Sequence, residues 1–318
     1  NGAPGAEAGN DRIYLDQGPA CGKIGFLFPG QGSQYPGMGT DLASVFPEAL
    51  DALNLSCSIY DSQARESQTD LGLDEAIFPL PEHVRSKKEA EALLRQTQIA
   101  QPAIGAVSLA MVRILKRFGI TPDITCGHSF GELTALNAAG WMDDAALIEL
   151  AVSRGTHMAA AGRVDGDPGS MLAVQAEISD IESLIKNENL DLVLANKNAA
   201  RQGVLSGSTD EILKAKKACR KNKMRAVQLP VAAAFHSRLV KDAAVPFAAD
   251  LESRTVTATR IDVLSNTTGD FYPSQPAEIK RLLGNQLANP VEFIENIRLM
   301  HDKEVTTFIE VGPKTVLT

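Results

Sequence analysis

The chain has little of what marks several large protein classes. Its four cysteines, Cys21, Cys57, Cys126 and Cys219, lie far apart with no C-x-x-C. That excludes a disulfide framework and a cysteine-paired zinc site, and reduced thiols in a cytoplasmic setting are expected. No uninterrupted apolar run approaches about 18 residues, so no membrane span is expected. Positive charge is not in excess: the formal net charge is −8 over 318 residues. An acidic balance argues against nucleic acid as a partner, although a local basic patch for an anionic ligand is compatible with it. There is no internal repeat and no low-complexity tract; no secretory leader is expected, and the first residue is not Met. The chain stops at Thr318 directly after an apolar segment. Together these ends suggest a domain cut from a longer polypeptide. Hydrophobic content of 44% and charged content of 22% are ordinary for a globular enzyme with a sizeable core.

What the sequence does contain is organised around Gly127-His128-Ser129-Phe130-Gly131-Glu132. A β-branched stretch over Pro122–Thr125 leads in, and a helix-like run from Glu132 to Ala139 leads out. Strand, sharp turn and helix with a serine at the apex is the nucleophile-elbow pattern Gly-x-Ser-x-Gly. The flanking glycines let two elements pass closely, and the Phe130 N–H opens a helix, where it can face an anion.

Upstream, Ile24–Phe28 reads as a buried parallel strand. It ends in Pro29-Gly30-Gln31-Gly32-Ser33, which puts Gln31 at the carboxyl edge of a sheet, where ligands sit in open α/β folds. This loop lacks the Gly-Lys-Ser/Thr ending of a phosphate-binding loop. Residues 40–60 and 86–117 read as helices, with Pro102 in a first turn and Gln101 at the helix entrance, either as a cap or as a ligand contact. Arg154 ends the apolar face of a further helix, where a dipole partner and a specific anion contact are both open. Residues 170–230 read as β-α-β-β-α-β, the ferredoxin-like unit, with Asn198 in its central hairpin. The fold class is therefore α/β: an α/β-hydrolase-like large subdomain (22–165 and 233–318) after a linker (1–21), with an inserted ferredoxin-like small subdomain (166–232).

A serine hydroxyl needs a base and an oxyanion site to attack a carbonyl. Of His83, His128, His157, His236 and His301, His236 suits best: it lies in a small-residue turn C-terminal to Ser129, where an α/β site receives its base. No Asp or Glu ends a strand shortly before His236, so a carbonyl oxygen orienting the imidazole would give a Ser–His dyad.

Phe28-Pro29-Gly30-Gln31-Gly32-Ser33-Gln34, Gln101-Pro102, Gly127–Glu132, Arg154, Phe235-His236-Ser237, Asn289-Pro290-Val291 and Glu310-Val311-Gly312-Pro313 together resemble the acyl-carrier-protein acyltransferase family. That family includes malonyl-CoA transacylases and the acyltransferase domains of polyketide and fatty-acid synthases. The likeness runs from about residue 23 to 318. The wording Gly-His-Ser-Phe-Gly-Glu-Leu-Thr-Ala-Leu is most similar to iterative synthases of the polyunsaturated fatty-acid and enediyne type. The resemblance implies a ping-pong transfer of malonyl from malonyl-CoA through acyl-Ser129 to the phosphopantetheine thiol of an acyl carrier protein. It implies no permanently bound cofactor and no metal, and a neighbouring ketosynthase as a further partner. His236 would be the base, Gln31 and the Phe130 N–H the oxyanion hole, and the Gln286 carbonyl the group that orients the histidine. Arg154 would pair with the malonyl carboxylate, a task suited to a guanidinium fork. Gln101, His128 and Asn198 would line the pocket. Phe235 resembles malonyl-selective members, whereas Ala233 and Ala200 depart from the His or Tyr and the Pro usual at those positions. Two rival readings are a serine hydrolase or thioesterase, which has no need of a buried cation, and a decayed docking domain, which has no need of an intact Ser129, His236 and Gln31.

Overall fold

The computed structural model describes residues 22–66, 71–80, 86–161, 167–231 and 233–318. The expected linker 1–21, His83 and the start of the loop after Ala161 lie outside them.

In chain order the elements are β1 (Lys23–Phe28), α1 (Thr40–Val45), α2 (Pro47–Glu66), α3 (Leu73–Ile77), α4 (Lys87–Leu94), α5 (Thr97–Arg117), β2 (Ile124–Gly127), α6 (Gly131–Ala138) and α7 (Asp144–Ala161). There follow β3 (Ser170–Gln175), α8 (Ile178–Asn187), β4 (Val193–Ala199), β5 (Gln202–Gly207), α9 (Thr209–Lys221) and β6 (Arg225–Gln228). The chain closes with α10 (Lys241–Glu252), β7 (Asp262–Ser265), β8 (Asp270–Phe271), α11 (Pro276–Asn285), α12 (Phe293–Asp302) and β9 (Val305–Glu310).

The larger sheet has five strands in the order β8-β7-β2-β1-β9. β1 pairs in parallel with β2 and β9, and β2 with β7; β8 is antiparallel to β7. Strands β1 and β2 sit at the centre and are largely buried, which is why β1 reads as a continuous apolar run. Their carboxyl ends, Phe28 and Gly127, lie in register, so the Gln31 loop and the serine turn leave the sheet side by side. β2 ends two residues later than expected, and the strand feeds directly into the turn.

Helices α2, α5 and α7 pack on one another. α5 has a mean hydropathy of 1.4 over 18 residues, enough to cross a membrane by length and composition, but 67% of that window is buried inside the fold. The sequence reading undervalued this helix because Gln, Ser and Gly interrupt its apolar run; a core helix and a span share the same composition. Pro102 is also misjudged. α5 starts at Thr97, so the proline is its sixth residue and Gln101 is fully buried within the helix, not at its entrance.

The second sheet is antiparallel, in the order β4-β5-β3-β6, with α8 and α9 over one face. This is the ferredoxin-like arrangement. Its core is aliphatic: Leu172, Val174, Ile181, Leu205, Ile212 and Cys219 among others. It is stitched to the rest of the fold where β4 meets Val291: Val291 N–H donates to Ala195 O at 2.8 Å and Lys197 N–H to Val291 O at 2.9 Å. Asn198 lies near the end of β4, not in the hairpin. Short α3 and two-residue β8 were not anticipated; β8 follows the polar turn at Thr267-Thr268-Gly269.

Candidate active site

The serine turn is forced by sterics. A Cβ on Gly127 would lie 2.0 Å from the main-chain carbon of Gly131, and one on Gly131 would lie 2.0 Å from Phe28 O. Only glycine fits where β1, β2 and α6 converge. Ser129 itself has φ 52°, a left-handed conformation that costs a non-glycine residue about 1–3 kcal/mol. The turn is clamped from outside by Asn266, at the end of β7. Ser129 N–H donates to Asn266 Oδ1 at 2.7 Å, and Asn266 Nδ2 donates to Gly127 O at 2.7 Å.

Ser129 Oγ lies 2.7 Å from His236 Nε2. On its other side, the His236 ring donates from Nδ1 to Gln286 O and Asn289 O, both at 3.1 Å. Two carbonyls fix the proton on Nδ1 and leave Nε2 as acceptor for the serine hydroxyl. Two main-chain carbonyls, and no carboxylate, are the ring's Nδ1 partners. His236 also has positive φ, 57°, so both members of the pair are held in strained backbone. Burial, then the Arg154 and His128 charges, push the His236 pKa down to about 3. The imidazole is therefore neutral and able to accept a proton at ordinary pH.

Arg154, on α7, is 1% exposed. Its Nη1 donates to Gln101 Oε1 at 2.9 Å; its Nη2 donates to Gln286 Oε1 at 2.8 Å and reaches Ser129 Oγ at 3.3 Å. Its buried Nε has no partner among the described residues. Burial pushes its pKa down to about 10, against the pull of Glu132, and it stays charged. A buried cation next to a reactive hydroxyl, contacted by neutral amide oxygens, is ready to receive an anion.

The remaining expected residues fall into place unevenly. His128 Nε2 donates to Asn198 Oδ1 at 2.7 Å and its ring stands edge-on to Phe293 at 5.3 Å; this pair joins the serine turn to the smaller sheet. Phe235 is buried beside His236. Gln101 is in the cluster through Arg154, with its Nε2 spent on Met158 Sδ at 3.3 Å. The side chain of Gln31 is turned elsewhere: its Nε2 donates to Arg95 O and Thr97 Oγ1, each at 3.3 Å. Its loop nonetheless touches the serine turn, because a Cβ on Gly30 would lie 2.5 Å from His128 O and 3.5 Å from Phe130 N. A cleft of about 540 Å³ opens from Gln31 toward Lys87, Arg95, Pro230 and Lys314.

The sequence reading missed Glu132, Asn266, Tyr272 and the part played by Asn289. Glu132 carried a signal, as the first polar residue inside the helix after the serine turn. Asn266 carried one too, at the carboxyl end of a parallel strand. Tyr272 carried none. Among the described residues no group of three or more His, Cys, Asp or Glu could hold a metal ion.

Residues 25–318 match the acyl transferase domain family. The chain is 35% identical over 299 residues to the malonyl CoA-acyl carrier protein transacylase of Bacillus subtilis, covering 93% of this chain and 88% of that protein. It is 28% identical over 299 residues to a polyunsaturated fatty acid synthase polypeptide of Thraustochytrium, covering 93% of this chain and 10% of that one. Its fold matches a malonyl-transacylase solved in complex with a type II polyketide synthase acyl-carrier protein, with a TM-score of 0.82, 28% identity and coverage of 93% and 90% of the two chains.

Proposed function

Because the chain belongs to the acyl transferase domain family, we propose that it moves a malonyl group from malonyl-CoA to the phosphopantetheine thiol of an acyl carrier protein, for fatty-acid or polyketide synthesis. The observation that carries this reading is the convergence of Ser129, His236 and Arg154 within hydrogen-bond reach of one hydroxyl oxygen.

In the first half-reaction Ser129 Oγ gives its proton to His236 Nε2 and attacks the thioester carbonyl. The carbon–sulfur bond then breaks, and the coenzyme A sulfur leaves with the proton from His236. In the second, the carrier's thiol gives its proton to His236 and its sulfur attacks the acyl ester. Ser129 takes the proton back as its bond to the acyl group breaks. Arg154 holds the malonyl carboxylate, and Gln101 holds Arg154. The oxyanion is received by the Phe130 N–H at the start of α6 and by Gln31. We assign the latter role to the main-chain N–H of Gln31, since its side chain is engaged with Arg95 and Thr97. Gln286 and Asn289 carbonyls orient His236; His128, Asn198 and Phe235 line the acyl pocket. The cleft beside Gln31 suits the extended arm common to coenzyme A and the carrier protein, with Lys87, Arg95 and Lys314 at its rim.

Neighbouring synthase domains such as a ketosynthase, and a cytoplasmic setting, belong to the same reading. The unbridged Cys57, Cys126 and Cys219 suit a reducing compartment. The test is intact mass after exposure to malonyl-CoA. A malonyl adduct that maps to Ser129 and is absent from Ser129→Ala and greatly slowed in His236→Ala supports the reading. Absence of any adduct on Ser129 overturns it.

A further inference from the structure

Beneath the reacting pair lies a buried carboxylate with no assigned task. Glu132, in the first turn of α6, is completely buried. Its Oε1 accepts from the Tyr272 hydroxyl and its Oε2 accepts from Gln286 Nε2 at 2.7 Å. A main-chain donor from Asn266 also faces it. Tyr272 comes from the chain after β8, 140 residues away, and its ring stands edge-on to Trp141 at 6.2 Å. Three elements thus converge to hold one acid.

That acid holds the Gln286 amide one way round. Gln286 Nε2 is pinned between Glu132 Oε2 and Ser129 O, at 2.7 Å from each. The amide oxygen is therefore left facing Arg154 Nη2, at 2.8 Å. A flipped amide would set an oxygen against a carboxylate and a carbonyl, and its NH2 against a guanidinium; all three contacts would be repulsive. With Glu132 ionised, as its pKa of about 7 allows at and above neutral pH, it and Arg154 are opposite buried charges separated by one amide. Direct contact would neutralise the cation; complete absence of an acid would leave it buried without any counter-charge. The intervening amide keeps the guanidinium charged, with its Nη2 turned to Ser129 Oγ at 3.3 Å.

We propose that Glu132 is a positioning residue for acyl selection: through the side chain of Gln286 it holds Arg154 in place for the carboxylate end of the acyl group. The proposal rests on the function argued above and adds a residue that acts without touching substrate.

The test compares single-turnover loading of Ser129 from malonyl-CoA and acetyl-CoA in the unsubstituted chain and in Glu132→Gln, Tyr272→Phe and Gln286→Glu. Glu132→Gln keeps the shape but lets the Gln286 amide turn; its malonyl-to-acetyl ratio of kcat/KM falls about tenfold, the range of one charge-assisted hydrogen bond. Tyr272→Phe removes one of the donors on Glu132 and lowers the ratio by about threefold. Gln286→Glu puts one carboxylate oxygen on Arg154 and the other against Glu132, so the malonyl-to-acetyl ratio falls further than in Glu132→Gln, whatever change in rate the two acyl chains share. A purely structural role would lower both acyl chains together. Equal loss for both, or ratios within about twofold of the unsubstituted chain in all variants, overturns the proposal. Should Glu132→Gln fail to fold, the other two substitutions decide. Failure of the unsubstituted chain to load malonyl overturns the function reading itself, an outcome visible in the same experiment.

Discussion

The two sheets are held together by different means. The four-stranded sheet closes over an aliphatic core of Leu, Val, Ile, Ala and Cys. The carboxyl edge of the five-stranded sheet buries Gln101, Glu132, Arg154, His236, Asn266, Gln286 and Asn296. In the first region any well-packed apolar side chain of suitable volume would serve. In the second each buried polar group needs a particular partner, because an unpaired one costs about 1–3 kcal/mol or more. One region is tolerant and local; the other is intolerant and assembled from distant segments. The same contrast reaches the backbone: both φ-strained residues of the reacting pair, Ser129 and His236, lie in the second region.

One substitution made in each region tests the contrast most severely. In Gly131→Ala the new methyl meets the main-chain oxygen of Phe28 at 2.0 Å. No side chain can move aside, so β1 and α6 must separate. The expected cost is about 4 kcal/mol or more, seen as loss of the folded state or a large fall in Tm. In Gly203→Ala, on β5, the methyl meets the flexible ends of Leu194, Ile181 and Ile178 at 2.8, 3.1 and 3.4 Å. That costs about 1–2 kcal/mol and leaves loading of Ser129 intact. Equal losses at both sites, measured by thermal or denaturant unfolding, would erase the distinction.

The next effect is chemical. Arg154→Ala leaves a malonyl carboxylate buried without its cation, and malonyl loading should fall roughly a hundredfold or more. Loading from acetyl-CoA is kept or gains, since the acetyl group never used the guanidinium. Equal loss with both acyl donors would remove Arg154 as the carboxylate partner. A smaller effect is expected at Phe235. In Phe235→Ser the space beside His236 opens, and methylmalonyl loading rises relative to malonyl by about tenfold, the usual worth of one methyl group in a pocket. An unchanged ratio would move the selectivity elsewhere.

The same contrast explains what could be read from sequence. The small sheet was legible almost to the residue because its strands and helices alternate locally: β5 and α8 fall where periodicity puts them. The serine turn was legible because glycine spacing is a steric requirement. His236 could be reached by its place after a strand. Roles for Arg154, Gln101 and Gln286 came from family likeness, since nothing local tells a buried arginine from a helix-end charge. Glu132, Asn266 and Tyr272 are joined only by the fold: Tyr272 meets Glu132 across 140 residues and Asn266 meets Gly127 across 139, and no spacing rule links them. Pro102 misled for a related reason. Its preference for a first turn yields here to a helix already started at Thr97.

The last predicted effect concerns acid. Burial holds the His236 pKa at about 3 in the folded chain, below its unfolded value of about 6.5. Between those values the unfolded chain binds the extra proton, so this group's contribution to stability falls as pH drops from about 6.5. Glu132 behaves oppositely. Burial raises its pKa to about 7, above an unfolded value of about 4.3. Here the folded chain binds the extra proton, so this contribution grows as pH falls from about 7 toward about 4.3. Over the shared window of roughly pH 4.5–6.5 the two slopes, each at most about 1.4 kcal/mol per pH unit, oppose one another. Glu132→Gln removes one of them. Unfolding free energies of that variant should therefore fall more steeply on acidification than those of the unsubstituted chain, by up to about 1.4 kcal/mol per pH unit. Denaturant titrations at several pH values read the difference, in which every other titrating group cancels. Parallel slopes would mean that Glu132 is already ionised across the window, with its three donors and Arg154 outweighing its burial.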